Sequence, residues 1–190
     1  MDNVSLLGVT GWSWLSAPLS FEADGDRLVW RCAGNTDFWR KTGGVPSKHD
    51  GPALLLPVSG SFTIGATFEA RFSHTYDQLG FLVEMTHDTW LKIGIEIDDG
   101  LWLSAVHTVD SSDWSREPID EISVPLKLER TGATLNASVF ENREWRMFRS
   151  LSMEGAVRIG PYSCAPKGPG FEGRMRDAQI DLPAGKPEAP

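Results

Sequence analysis

The segment "WLKIGIEIDDGLWLS" (90–104) carries the residues best suited to chemistry. Read as two short strands, it sets Trp90, Lys92, Glu96 and Trp102 on one face and Leu91, Ile93, Ile95 and Leu103 on the other. A carboxylate and an ammonium beside two indoles suit a sugar. The C–H face of a sugar ring stacks on an aromatic plane, while its hydroxyls need charged or amide partners. Gln78 and Ser104, from neighbouring strands on the same face, would add hydrogen bonds. Glu84 with Glu96 suggests different chemistry, since glycoside hydrolysis uses two carboxylates about 5 to 10 Å apart. The expected register works against that pair, because it sets Glu84 directly across from Lys92 as an ordinary cross-strand ion pair. A hydrolase or lyase would then use Glu96 as base and Lys92 as charge stabiliser. The plainest reading of the whole face is the solvated side of a sheet.

Two mid-strand glycines, Gly80 and Gly94, argue for a shallow groove on that face, since they leave a floor without side chains. The loop motif "SSDWS" (111–115) would bring Asp113 and Trp114 to close one rim. It also has a structural reading, in which Ser and Asp cap turns and Trp114 plugs one end of the fold. "NTDFW" (35–39) reads mainly as structure, with Asn35 and Asp37 forming turns while Phe38 and Trp39 alternate inward and outward. Four histidines at wide spacing (49, 74, 87 and 107) match no metal-ligand pattern. Asp98, Asp99, Asp110 and Asp113 could bind calcium at a loop end, as in some lectin-type sandwiches, but they lack the spacing of an EF-hand loop. Cys32 and Cys164 read as buried structural thiols. With no phosphate loop, nucleophile elbow or zinc motif in the chain, neither a cofactor nor a metal is expected.

Strands must position these residues. Ten segments alternate or are rich in β-branched and aromatic residues: 27–33, 52–58, 61–73, 78–85, 90–97, 101–109, 122–132, 133–145, 157–163 and 172–182. Gly, Pro, Asp and Asn clusters separate them, and only 144–153 is ambiguous in period. Ten strands without intervening helices imply an antiparallel sandwich or barrel. A three-residue turn at His87-Asp88-Thr89 would place Met85 opposite Leu91, Val83 opposite Ile93, Phe81 opposite Ile95 and Leu79 opposite Ile97. The next turn, at Asp98-Asp99-Gly100, puts Leu101, Leu103 and Ala105 on the inner face, with His107 beside them near Leu91.

At 190 residues, with 41% hydrophobic content, the chain suits one domain over 1–182, followed by a Pro- and Ala-rich tail over 183–190 expected to be disordered. A net charge of −8 argues against a nucleic-acid partner. No run is long and apolar enough for a membrane span, and the N-terminus lacks a secretory signal pattern, so the default expectation is cytoplasmic. Exposed edge strands leave room for a homodimer.

Five ordered motifs, "TDFW" (36–39), "YDQLGFLVE" (76–84), "WLKIGIE" (90–96), "DG" (99–100) and "SDWS" (112–115), resemble the DUF1349 (regulation-of-enolase protein-like) family over roughly residues 10 to 182. His107 departs from the plain apolar residue expected there. The resemblance implies an all-β, concanavalin A-like lectin/glucanase sandwich (a jelly roll) of two large antiparallel sheets, one concave, with Trp90, Lys92 and Glu96 on the concave side. The glucanases of that superfamily carry E-x-D-x-x-E on one strand. Here "EIDDGL" (96–101) ends in Leu101, and the turn at Gly100 breaks the strand. The leading expectation is therefore non-catalytic carbohydrate binding through Gln78, Trp90, Lys92, Glu96, Trp102, Ser104, Asp113 and Trp114. The enzyme above is one alternative. The other is an adaptor that binds a metabolic enzyme as protein partner, which would show a large exposed apolar patch.

Overall fold

The computed structural model describes residues 4–182, so the expected disorder of 183–190 lies outside the described residues. From the N-terminus the strands are β1 (Val4–Leu6), β2 (Val9–Trp14), β3 (Ser20–Asp24), β4 (Arg27–Arg31), β5 (Phe38–Trp39) and β6 (Lys48–His49). Next come β7 (Leu54–Val58), β8 (Phe62–Ala70), β9 (Gln78–Thr86), β10 (Thr89–Ile97), β11 (Leu101–Val109) and β12 (Ser111–Pro118). The last five are β13 (Ser123–Thr131), β14 (Thr134–Glu141), β15 (Glu144–Ser152), β16 (Val157–Cys164) and β17 (Glu172–Asp181). One antiparallel sheet runs β1-β2-β7-β16-β9-β10-β11-β12, the other β15-β14-β13-β8-β17-β4-β3, and β5-β6 is a separate ribbon. This is the expected all-β, concanavalin A-like sandwich.

Alternation builds the core. Leu79, Phe81 and Val83 of β9 and Leu91, Ile93 and Ile95 of β10 are all at most 1% exposed and face the second sheet. There Phe68 meets Phe81 edge to face, with centroids 4.7 Å apart. Trp30 crosses between the sheets, its Nε1 donating to Ser163 Oγ at 2.8 Å. Such a bond keeps a buried indole N–H from going unsatisfied.

The β9–β10 pairing differs from expectation by two residues. Leu91 faces Val83, Ile93 faces Phe81 and Ile95 faces Leu79, while Lys92 faces Leu82 and Glu84 faces Trp90. The turn is the tighter His87-Asp88, with an irregularity in register beside Thr89. A two-residue shift leaves every side chain on its face, so the apolar pattern fixes which face is buried but not the register. The expected Glu84–Lys92 pair is thereby lost. The β10–β11 register is as expected, with Ile97 opposite Leu101 and Leu91 opposite a half-buried His107.

The "SSDWS" segment is not a loop but edge strand β12. Its inward positions are polar because they meet the arginines of β15: Asp113 and Ser115 face Arg149, and Glu117 pairs with Arg146. That polarity masks the strand. The ambiguous 144–153 region is β15, entered through Asn142 and Arg143, both at positive φ (52° and 67°), as a two-residue hairpin turn requires. Strands β1 to β3 escape the sequence pattern because they are short and, in β2, interrupted by Gly11.

Gly80 and Gly94 lie directly opposite one another. A Cβ on Gly94 would sit 2.0 Å from Leu79 O, whereas one on Gly65, mid-strand in β8, would approach nothing closer than 3.5 Å. Gly94→Ala should therefore destabilise the protein by about 3 kcal/mol or more in urea unfolding, because backbone cannot step aside. Gly65→Ala should change stability by less than about 0.5 kcal/mol. Equal effects would show that β9 and β10 are not packed this closely.

Candidate functional site

The outer face of β9, β10 and β11 carries apolar residues as well as polar ones: Leu82, Trp90 and Val106 are each at most 1% exposed. They need a cover, and residues 33–51 supply it as a strap laid across the sheet. Phe38 of β5 sits with its ring centroid 6.0 Å from both Trp90 and Tyr162 and 4.9 Å from His49, edge-on to each. This forms a second small core on the outer face. Several bonds pin the strap. Asn35 N donates to Ala165 O, Arg40 N to Ser112 Oγ, and Thr42 Oγ1 to Ser112 O. Its return passes Gly51, where a Cβ would lie 2.6 Å from Cys164 Sγ.

Beside this core the strap leaves a cleft of about 750 Å³, within the usual range for small-molecule sites. Its floor is Lys92, Glu96 and Gln78. Lys92 is 2% exposed, its stem flanked by Leu82 and Val106 across the strands. Its Nζ donates to Asp37 Oδ1 at 3.0 Å. Asp37 is the sole hydrogen-bond partner of this ammonium among the described residues, which leaves two N–H donors. Glu96 is 3% exposed, and Gly94 between it and Lys92 puts no side chain in the way. Burial pushes the Glu96 carboxyl above its ordinary value of 4.5, and its bond with Ser104 and the charge of Lys92 only partly offset this.

Aromatic rings form the wall. Trp114 stands between Trp39 (6.2 Å, 87°) and Tyr76 (6.3 Å, 85°), its Nε1 donating to Ser104 Oγ at 2.9 Å. The Arg116 guanidinium lies 4.7 Å from its ring centroid. Tyr76 holds a left-handed φ of 69°, uncommon for a bulky residue. The turn is fixed by the fully buried Asp77, whose Oδ2 accepts from the backbone N–H of Ser73 and His74.

Of the expected site residues, Gln78, Lys92, Glu96 and Trp114 line the cleft, Asp113 borders it with its carboxylate turned to Arg149 on the inner face, and Ser104 lies just behind it. Two do not. Trp90 is 1% exposed beneath Phe38, so it supports the strap and offers no stacking surface. Trp102 lies outside the lining; it stacks with Arg116 and donates to Asp98 O. Sequence reasoning missed Asp37, Trp39 and Tyr76. "NTDFW" was read for its turns, yet Leu82 and Val106, apolar on a face assigned to solvent, signal that a covering segment exists.

Glu84 lies elsewhere. It is six residues along β9 from Gln78, which faces Glu96, so the two glutamates stand roughly 20 Å apart and cannot act as one acid/base pair. Glu84 is 2% exposed, 3.1 Å from His49 Nε2 and paired with Arg158. Burial pushes its carboxyl up, but His49 and Arg158 outweigh burial and hold it below the ordinary 4.5.

Residues 14–183 match the family described as "Protein of unknown function (DUF1349)". The chain belongs to the DUF1349 family. Its curated relative in Saccharomyces cerevisiae, Regulation of enolase protein 1, is 26% identical, with 92% of this chain and 91% of the relative covered. A crystal structure of a functionally unknown Saccharomyces cerevisiae protein superposes with a TM-score of 0.86 at 26% identity, covering 95% of this chain and all of that one. The GH43 BlXynB protein of Bacillus licheniformis (TM-score 0.68, 12% identity) shares the sandwich over 90% of this chain, but this chain spans only 36% of that one. A xylan beta-1,4-xylosidase of Bacillus halodurans is similar in the same way (TM-score 0.68, 13% identity, 83% of this chain and 33% of that one).

The floor predicts an asymmetry. Asp37→Asn strands a buried ammonium and should cost about 3 kcal/mol or more. Lys92→Met should cost less, because Asp37 keeps the Phe38 N–H and reaches solvent. Thermal unfolding of both variants checks the order. Glu84 predicts a pH effect. Folded Glu84 binds its proton more weakly than the unfolded chain does, so its stabilising contribution is complete above 4.5 and is lost as pH falls through the lower, folded value. Glu84→Gln should therefore lower the melting temperature at neutral pH and narrow the gap to wild type on acidification. A constant gap would show that His49 and Arg158 do not hold the ionised form.

Proposed function

We propose that the protein is a non-catalytic carbohydrate-binding module whose site is the cleft under the strap. One observation carries the reading: buried hydrogen-bonding groups, Lys92 and Glu96, form the floor of a cleft whose wall is the Trp39–Trp114–Tyr76 cluster. A sugar ring needs an aromatic plane on one side and fixed donors and acceptors at its edge. Trp114 and Trp39 supply the plane, and Lys92, Glu96 and Gln78 the edge contacts. The indole of Trp114 stands in a cleft and not on a flat face, which supports a small ligand over a protein surface at this place.

A second reading is glycoside hydrolase or lyase chemistry. It is favoured by burial of Glu96, which raises its carboxyl toward the range of a general acid, and by Asp37 beside the same ammonium. It predicts turnover of aryl glycosides that Glu96→Gln abolishes with folding kept.

Intrinsic tryptophan fluorescence against mono- and oligosaccharides should show a saturable shift, with calorimetry giving the affinity. Trp114→Ala and Lys92→Met should each weaken binding about tenfold or more, equivalent to about 1.4 kcal/mol. Trp145→Ala, on the far sheet, should leave it unchanged. No saturable binding by a folded protein would overturn the reading. It would turn attention to a protein partner, as the yeast relative's name suggests, and to the exposed Phe140, Trp145 and Met147 on β14 and β15.

A further inference from the structure

The cleft has a chemical preference and a direction, and both rest on the carbohydrate-binding reading above. Its lining carries three lysines (48, 92 and 167) and two acids whose carboxyl groups face the cleft (37 and 96), since the Asp113 carboxylate is turned to Arg149. They are not evenly spread. Lys167 is exposed at the rim, and Lys48 Nζ is taken up by Asn35, donating to Oδ1 at 2.6 Å. The floor holds one ammonium and two carboxyl groups, and the ammonium is already neutralised by Asp37 at 3.0 Å. A ligand carboxylate or phosphate brought to Lys92 would meet Asp37 and Glu96 with no second ammonium on the floor to balance them, Lys48 being held by the neutral Asn35 and Lys167 standing at the rim. In a site this buried, like charges repel far more strongly than in water. A hydroxyl meets no such penalty. It accepts from the free N–H donors of Lys92 and gives its own proton to Gln78 or Glu96.

The direction comes from the strap. Gln78, Lys92, Val106 and Ser112 bring β9, β10, β11 and β12 into the lining, whereas the next strands on the other side, β16 and β7, lie under the second core. Phe38, Tyr162 and Leu55, each at most 2% exposed, fill the path a longer chain would take across the sheet. The cleft is blind at that end.

We infer that the cleft takes a free neutral sugar or the terminal residue of a neutral glycan, end-on, and excludes sugar acids and sugar phosphates. The test is calorimetry on the full chain at neutral pH with D-glucose, D-xylose, xylobiose and xylohexaose, beside D-glucuronate and D-glucose 6-phosphate. Neutral sugars should bind at least tenfold more tightly than the two acidic ones, and molar affinity should level off after the first one or two rings. Binding of glucuronate or glucose 6-phosphate equal to or tighter than that of glucose would overturn the charge preference while leaving carbohydrate binding intact. Affinity that keeps climbing from xylobiose to xylohexaose would overturn end-on recognition. Binding of none of the six would overturn the inference together with the reading beneath it. A Phe38→Ala variant adds a separate check. If it remains folded, xylohexaose should gain on xylobiose by threefold or more, because the blind end is opened. An unchanged ratio would show that Phe38 does not close it.

Discussion

An ammonium placed where water cannot solvate it must be given an anion, and Lys92 has one in Asp37. The two residues come from different parts of the fold. Lys92 belongs to the centre of the eight-stranded sheet, whereas Asp37 belongs to the strap, 55 residues earlier in the chain. Their pairing therefore does two jobs. It satisfies a buried charge, and it ties the strap to the sheet beside the apolar seal made by Phe38. If the strap lay elsewhere, Leu82, Trp90 and Val106 would face solvent and Lys92 would lose its counter-ion. The position of the cleft wall follows from the same constraint.

Much of the fold was legible because the inner faces of β9, β10 and β11 are almost uniformly apolar. Period-two alternation is then enough to say which side of each strand is buried. It is not enough to say how far one strand slides along another. The two-residue difference between the expected and actual β9–β10 register leaves the apolar pattern untouched and was decided by the turn after Thr86. Strand β12 was illegible for the opposite reason. Its inward residues are polar, matched to Arg146 and Arg149, so it presents no alternation.

The candidate site was half legible. Its floor sits on regular strands, and spacing places such residues well. Its wall is assembled from β12, the turn before β9 and the strap, whose shape depends on contacts with Tyr162, Ser112 and Ala165 far along the chain. Trp90 shows the cost of reading a sheet face without its cover: its parity was assigned to the open face, yet Phe38 closes over it. Glu84 shows the same for charge. Its partners, His49 and Arg158, come from the strap and from β16, and no local spacing connects them to it.

Where the strap returns to the sheet, Gly51 presses against the thiol of Cys164, which is fully buried and whose acidity burial suppresses. Alkylating agents attack thiolates, and they must reach the sulfur first. Cys164 is thus shielded from such agents for as long as the strap lies on the sheet. Its thiol is therefore a built-in reporter on the seating of the strap: labelling in the folded protein would require the strap to leave the sheet.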